Sequence, residues 1–107
     1  MTVRVQQEYQ AWPTAVRAAM ERTLEILAED GHMDLPPNLF RPEERLKVSG
    51  TGKSVMIYAV KDEHFRLYGG YIDGTFFVCS GLDDAKKQQK ADRSKLQRAA
   101  DRLGRFL

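Results

Sequence analysis

The sequence predicts an α+β domain, with N-terminal helix or helices and a C-terminal helix packed on a small twisted antiparallel sheet. Three observations carry that prediction. Apolar residues recur at helical spacing in the first third of the chain. The middle third switches to a period of two, punctuated by Gly and Asp turn signals. From Leu96 the steps of three and four return. With 107 residues the chain is long enough for one core and too short for two, so residues 1–107 are read as one domain.

In chain order, Thr2-Val3-Arg4-Val5-Gln6 alternates polar and apolar residues and reads as a short edge strand. A turn or short helix from Gln6 to Trp12 can follow. Pro13 suits the first turn of a helix, where its missing N–H is no loss. Val16, Met20, Leu24 and Leu27 form one apolar stripe, flanked by Ala19, Ile26 and Ala28. Gly31, after Glu29-Asp30, is a suitable left-handed terminator, giving a helix from about Thr14 to Glu29. His32 to Pro42 contains Pro36, Pro37 and Pro42 and reads as a wrapping loop.

Strands then follow at Arg45 to Ser49, Val55 to Lys61, His64 to Tyr71 and Thr75 to Ser80. Val55, Ile57 and Ala59 should occupy one face of the second, with Met56, Tyr58 and Val60 on the other. Gly50-Thr51-Gly52 and Asp62-Glu63 are the first two turns. Asp73-Gly74 is the strongest hairpin signal, because a primed turn needs positive φ angles. In the last helix Leu96, Ala99, Ala100, Leu103 and Phe106 or Leu107 face the core, while Arg93, Arg98, Arg102 and Arg105 lie mostly off that stripe. Asp92 or Ser94 caps it, unless it begins earlier at Asp83 or Asp84.

Composition narrows the class. A 42% hydrophobic and 30% charged chain is ordinary for a globular protein. Cys79 is the only cysteine, so no intrachain disulfide forms and a reducing compartment fits. There is no cationic-then-apolar leader, and no apolar run approaches the roughly 20 residues of a membrane helix, so the expected location is cytoplasmic and no membrane partner is expected. The net charge of +2 hides an asymmetry. From Lys86 to Leu107 there are eight Lys/Arg and two Asp, a local charge of +6. Such a basic arm suggests a polyanionic partner.

Two apparent sites fail on inspection. Gly50-Thr51-Gly52-Lys53-Ser54 resembles the end of a phosphate-binding P-loop, but Lys47 stands where the pattern needs glycine, and Ser54 opens a strand rather than a helix. No nucleotide cofactor is expected. Two histidines, one cysteine and no HxxxH or CxxC spacing supply too few ligands for a metal site, so no metal and no other cofactor is expected.

Several segments together resemble the RelE/ParE toxin superfamily, and most closely its HigB-like, phage-derived branch. Gly81-Leu82, then Lys86-Lys87-Gln88-Gln89-Lys90-Ala91-Asp92, then Lys95-Leu96-Gln97-Arg98-Ala99 resembles the branch's "Gly, bulky apolar, Lys-Lys-Thr-Gln-Lys-Thr-Pro, Glu-Ile-x-x-Ala" run. Ile57-Tyr58-Ala59-Val60-Lys61 followed by Phe65-Arg66-Leu67-Tyr68 is similar to its paired strands. Glu29-Asp30-Gly31 and Leu35-Pro36-Pro37 look like its N-terminal half. Three features differ from the pattern: Asp83-Asp84-Ala85 stands before the double lysine, Asp92 replaces a proline, and Arg105-Phe106-Leu107 lacks a terminal Tyr or His.

The resemblance implies the toxin of a type II toxin–antitoxin pair. Such a toxin is a ribosome-dependent, metal-independent mRNA endoribonuclease that inhibits translation and is held in check by a helix-turn-helix antitoxin. Its partners would be that antitoxin, the ribosome and mRNA. The reaction needs a base for the ribose 2′-OH, cations for the charge developing at phosphorus, and an acid for the leaving oxygen. His64, Arg66 and Tyr68 lie two residues apart and should share a strand face. Arg66 is the candidate phosphate clamp, and His64 or Tyr68 the proton carrier. Lys87 joins them as a candidate catalytic residue, and Lys86, Lys87, Lys90 and Arg93 are the candidate RNA contacts. Each has a plainer reading, a polar strand face or a solvated helix face, and Trp12, Tyr9 and Phe40 read as core or partner surface rather than base-stacking platforms. Two other functions stand beside it: a ParE-like inhibitor of DNA gyrase, and a non-catalytic relative that binds RNA or an antitoxin.

Overall fold

The computed structural model describes residues 1–31, 35–74, 76–84 and 92–107. Within them α1 (Val3–Tyr9) and α2 (Thr14–Asp30) precede β1 (Phe40–Lys47), β2 (Ser54–Asp62), β3 (Phe65–Ile72) and β4 (Phe76–Asp83), and α3 (Arg93–Gly104) follows. The strands form one antiparallel meander in the order β1-β2-β3-β4. This is the predicted α+β fold, with the helices divided between the two faces of the sheet.

On one face Val5, Tyr9, Trp12, Val16, Met20 and Leu27 pack against Phe40, Val60, Phe65, Leu67 and Cys79. On the other, Leu96, Ala99, Ala100 and Leu103 of α3 cover Leu46, Val48, Val55, Ile57, Ala59 and Tyr68. The alternation read for the second strand holds, since Val55, Ile57 and Ala59 all face α3 and Val60 faces α1 and α2. Burying Leu96 and Leu103 contributes on the order of 1.5–3 kcal/mol each. α3 sits close to the sheet because Gly81 has no side chain: a Cβ there would lie 2.7 Å from the Ala99 Cβ. Ser80 Oγ also donates to the Ala99 carbonyl at 2.8 Å.

Four sequence expectations need correction. Thr2 to Gln6 is not an edge strand. Thr2 caps α1 by accepting a hydrogen bond from the Val5 N–H at 3.3 Å. The apolar period there is four, from Val5 to Tyr9, and Val3 is 75% exposed. The first strand starts at Phe40, within what reads as a proline loop. β1 is an edge strand, and Pro42 sits at a bulge where a missing N–H breaks no ladder. The last strand runs on to Asp83, and Phe106 and Leu107 are about half exposed instead of joining the core.

Gly31 ends α2 at φ 77°, and Asp73 and Gly74 turn β3 into β4 at φ 55° and 69°, as a primed turn requires. The P-loop-like run lies in the β1–β2 turn, where the Val48 N–H donates to the Lys53 carbonyl at 2.8 Å. Among the described residues no helix is long and apolar enough to cross a membrane.

Candidate functional site

The candidate site lies where β2 and β4 end and β3 begins, on the face that α3 shares. Residues directly opposite one another in an antiparallel sheet project to the same side. Lys61 pairs with Arg66, and Arg66 pairs with Asp83, so these three side chains form one row across three strands. Arg41 stands opposite Ala59, two residues before Lys61, and belongs to the same face. Tyr68 follows Arg66 one pleat deeper.

Two irregularities of the backbone set this row. Glu63 takes a left-handed φ of 54°, which closes the turn so that Asp62 faces Phe65. Between β3 and β4 the register shifts: Tyr68 faces Gly81 but Gly69 faces Cys79, leaving Ser80 as the additional residue. Without that bulge Arg66 would meet Leu82 instead of Asp83.

The row is electrostatically dense. Arg66 is 5% exposed and Asp83 1%. Lys95, from the first turn of α3, donates from Nζ to the Asp83 carboxylate at 2.9 Å. The helix is fixed there by Asp92, whose Oδ1 accepts from the N–H groups of Ser94 and Lys95 at 2.9 and 3.3 Å. A hydrogen bond from the Ser94 hydroxyl, with those from the two N–H groups, holds the Asp92 carboxyl below the usual range. Arg41 reaches Glu43 at 3.2 Å.

Lys61 is half-buried, and its ammonium loses its proton more easily than an ordinary lysine's. Burial is the first cause, followed by repulsion from Arg41 and Arg66, with Glu43 opposing. Tyr68 behaves in the opposite sense. It is fully buried, and burial pushes its hydroxyl up to about 12 despite the neighbouring Arg66 guanidinium. A phenol so placed is part of the core under α3 and is a poor proton carrier near neutral pH.

The sequence-predicted residues divide accordingly. Arg66 and Tyr68 share a face, as the alternation requires, but α3 packs over that face and both are buried. His64 does not join them on the strand. It lies in the turn before β3, half-buried, with its ring 4.2 Å from that of Phe65, a residue of the opposite face. Arg93 stands on the β1 flank of α3, where its guanidinium donates to both Glu44 carboxylate oxygens at 2.8 Å. Lys86, Lys87 and Lys90 lie outside the described residues. The described part of the chain before them ends at Asp84, one residue after Asp83, the cross-strand partner of Arg66.

Lys61, Arg41 and Lys95 are the site residues that sequence reading missed. Placing the turn at Asp62-Glu63 pairs Lys61 with His64; moving it by one residue pairs Lys61 with Arg66. The signal was the spacing of two cations about a tight turn, and it is visible only with the correct register. No family model, curated protein or solved structure matches the chain.

Proposed function

We propose that this chain is the toxin of a type II toxin–antitoxin pair, a metal-independent endoribonuclease that cuts mRNA on the ribosome and is neutralised by a helix-turn-helix antitoxin. The observation that carries the reading is the Lys61–Arg66 row with Arg41 beside it: a lysine whose proton is loosened, next to two guanidinium groups. Metal-free RNA cleavage needs a proton acceptor and positive charge beside the phosphate, and this row supplies both.

In the proposed reaction Lys61, in the deprotonated form that burial and the two guanidinium groups favour, takes the proton of a ribose 2′-OH. The 2′ oxygen attacks the adjacent phosphorus, and the P–O5′ bond breaks, leaving a 2′,3′-cyclic phosphate and a 5′-OH. Arg66 and Arg41 pair with the non-bridging oxygens as their charge increases. The leaving oxygen takes a proton from water or from a lysine of the Lys86–Lys90 run. The 2′-OH requirement selects RNA over DNA.

The test is induced expression without an antitoxin, followed by measurement of growth, translation and message integrity. The reading expects translation to stop with message cut, and Lys61→Ala to restore both. Unimpaired growth and intact message at full expression would reject it. A binding-only relative is favoured by one observation, the near-complete burial of Arg66 and Tyr68. That reading expects wild-type protein to bind RNA without cutting it, and Arg66→Ala to be silent in growth.

A further inference from the structure

α3 has two different flanks. On the β1 side its polar groups are engaged: Arg93 with Glu44, the Gln97 amide with the Lys47 carbonyl at 2.7 Å, and Asp101 with the Ser49 N–H at 2.8 Å. On the β4 side Lys95, Arg98, Arg102 and Arg105 follow at steps of three, four and three, one stripe of a helix, in which Lys95 pairs with Asp83 and the Arg102 guanidinium donates to the Ser80 carbonyl at 3.4 Å. Arg105 lies just past Gly104 but keeps helical dihedrals, φ −68° and ψ −16°. Ten residues at a rise of about 1.5 Å make the stripe about 15 Å long, with a cation roughly every 5 Å.

This stripe forms one wall of a valley between α3 and α1, above the outer edge of β4. The valley has a cleft of about 380 Å³ that Lys95, Arg98 and Arg102 share with Glu8 and Trp12, above Leu82. A second cavity of about 300 Å³ lies at Arg102, where Arg102 and Arg105 face Arg4. Val3 and Phe106 border that end, 75% and 52% exposed. The other end of the valley is the candidate site itself, because Lys95 lines the cleft and also holds Asp83, opposite Arg66.

We infer that the valley is the track for the single-stranded RNA that flanks the cleaved phosphate. Its backbone runs along Lys95, Arg98, Arg102 and Arg105, and one base stacks on Phe106. A line of cations beside one exposed aromatic ring is the composition that binds a single strand without reading its sequence. Glu8 and Asp84, the acids that border the cleft, hold the phosphates to the α3 wall. The inference rests on the ribonuclease reading for its ligand, and its test is separable from that reading.

The experiment measures binding of fluorescein-labelled oligouridylates of three to twelve nucleotides, by anisotropy, across a salt series. Affinity should rise with length until the track is filled. R98Q/R105Q removes two phosphate contacts at exposed positions, so the slope of log affinity against log salt should fall by about 1.4. F106A should weaken binding about fivefold or more. An unchanged salt slope in R98Q/R105Q would overturn the track, even if the wild-type protein cuts message. Polyglutamate competing as well as oligouridylate of equal charge, with F106A silent, would assign the valley to an acidic protein and overturn it as well. Length-dependent binding lost in R98Q/R105Q would support the track even if no message were ever cut, an outcome that would reject only the ribonuclease.

Discussion

The Lys95 ammonium donates to the Asp83 carboxylate at 2.9 Å, which ties the first turn of α3 to the last residue of β4, directly opposite Arg66. The acid that looks like an intrusion into a basic sequence run is therefore built into the sheet. It lies within a cluster of cations and is almost fully covered. Removing it would leave Arg66 charged, buried and short of a neighbouring carboxylate. Asp83→Ala should lower stability by about 2–3 kcal/mol in urea denaturation, less than a fully enclosed pair because Lys95 is about one-third exposed. A loss under about 0.5 kcal/mol would mean that the cluster is held by other contacts.

Arg93 provides the contrast. Its pair with Glu44 is solvent-exposed, with side-chain exposures of 72% and 36%. Arg93→Gln should change stability by less than about 1 kcal/mol. It should also leave the salt dependence of RNA binding as it is, since its guanidinium lies on the flank away from the valley. A drop in salt slope as large as that of Arg98→Gln would restore Arg93 as an RNA contact.

Lys61 links electrostatics to pH. Burial, Arg41 and Arg66 all favour its neutral form, so cleavage should rise with pH through a midpoint below that of an ordinary lysine. Arg41→Gln removes a positive neighbour, which lets Lys61 keep its proton to higher pH, so the midpoint should move up. Lys61→Ala should reduce the rate about 10²- to 10⁴-fold and remove the pH dependence. A profile unaffected by either substitution would exclude Lys61 as the base.

Packing of α3 can be tested at Gly81. A Cβ there meets the Ala99 Cβ at 2.7 Å, so Gly81→Ala should lower stability by about 1–3 kcal/mol. Ala99→Gly in the same chain should recover part of that loss, beyond what the two single changes predict when added. Strict additivity in thermal melts would show that the helix and strand are not in direct contact at this point.

Cys79 reports on the opposite face. It is 4% exposed, and burial pushes its thiol up to about 11. A thiol reagent at neutral pH should modify the native protein at a rate set by unfolding, rising steeply with denaturant. Rapid labelling without denaturant would contradict the packing of α1 and α2 over β4.

The sequence made the fold class, the two-faced central strand, the Asp73-Gly74 turn and the α3 stripe legible, because each follows from a period or from a backbone angle. Where it misled, the cause was local. Val3 and Val5 imitate a strand, yet only Val5 is buried, and Pro42 looks like a loop residue although an edge strand tolerates it. The candidate site was half visible. Arg66 and Tyr68 follow from alternation. Lys61 and Asp83 depend on a one-residue turn placement and on a bulge at Ser80, neither of which leaves a periodic trace. The depressed proton affinity of Lys61 arises from three strands meeting, so no single segment could display it.

Cleavage of RNA by the Lys61–Arg66 row is open to direct test. Its most direct test incubates purified protein with ribosomes engaged on a defined mRNA, then maps the ends and terminal chemistry of the fragments. The wild-type chain should yield fragments ending in 2′,3′-cyclic phosphate, and folded Lys61→Ala and Arg66→Ala variants should leave the message intact. Intact message with the wild-type chain at every concentration, or equal cleavage by Lys61→Ala, would contradict cleavage by this row.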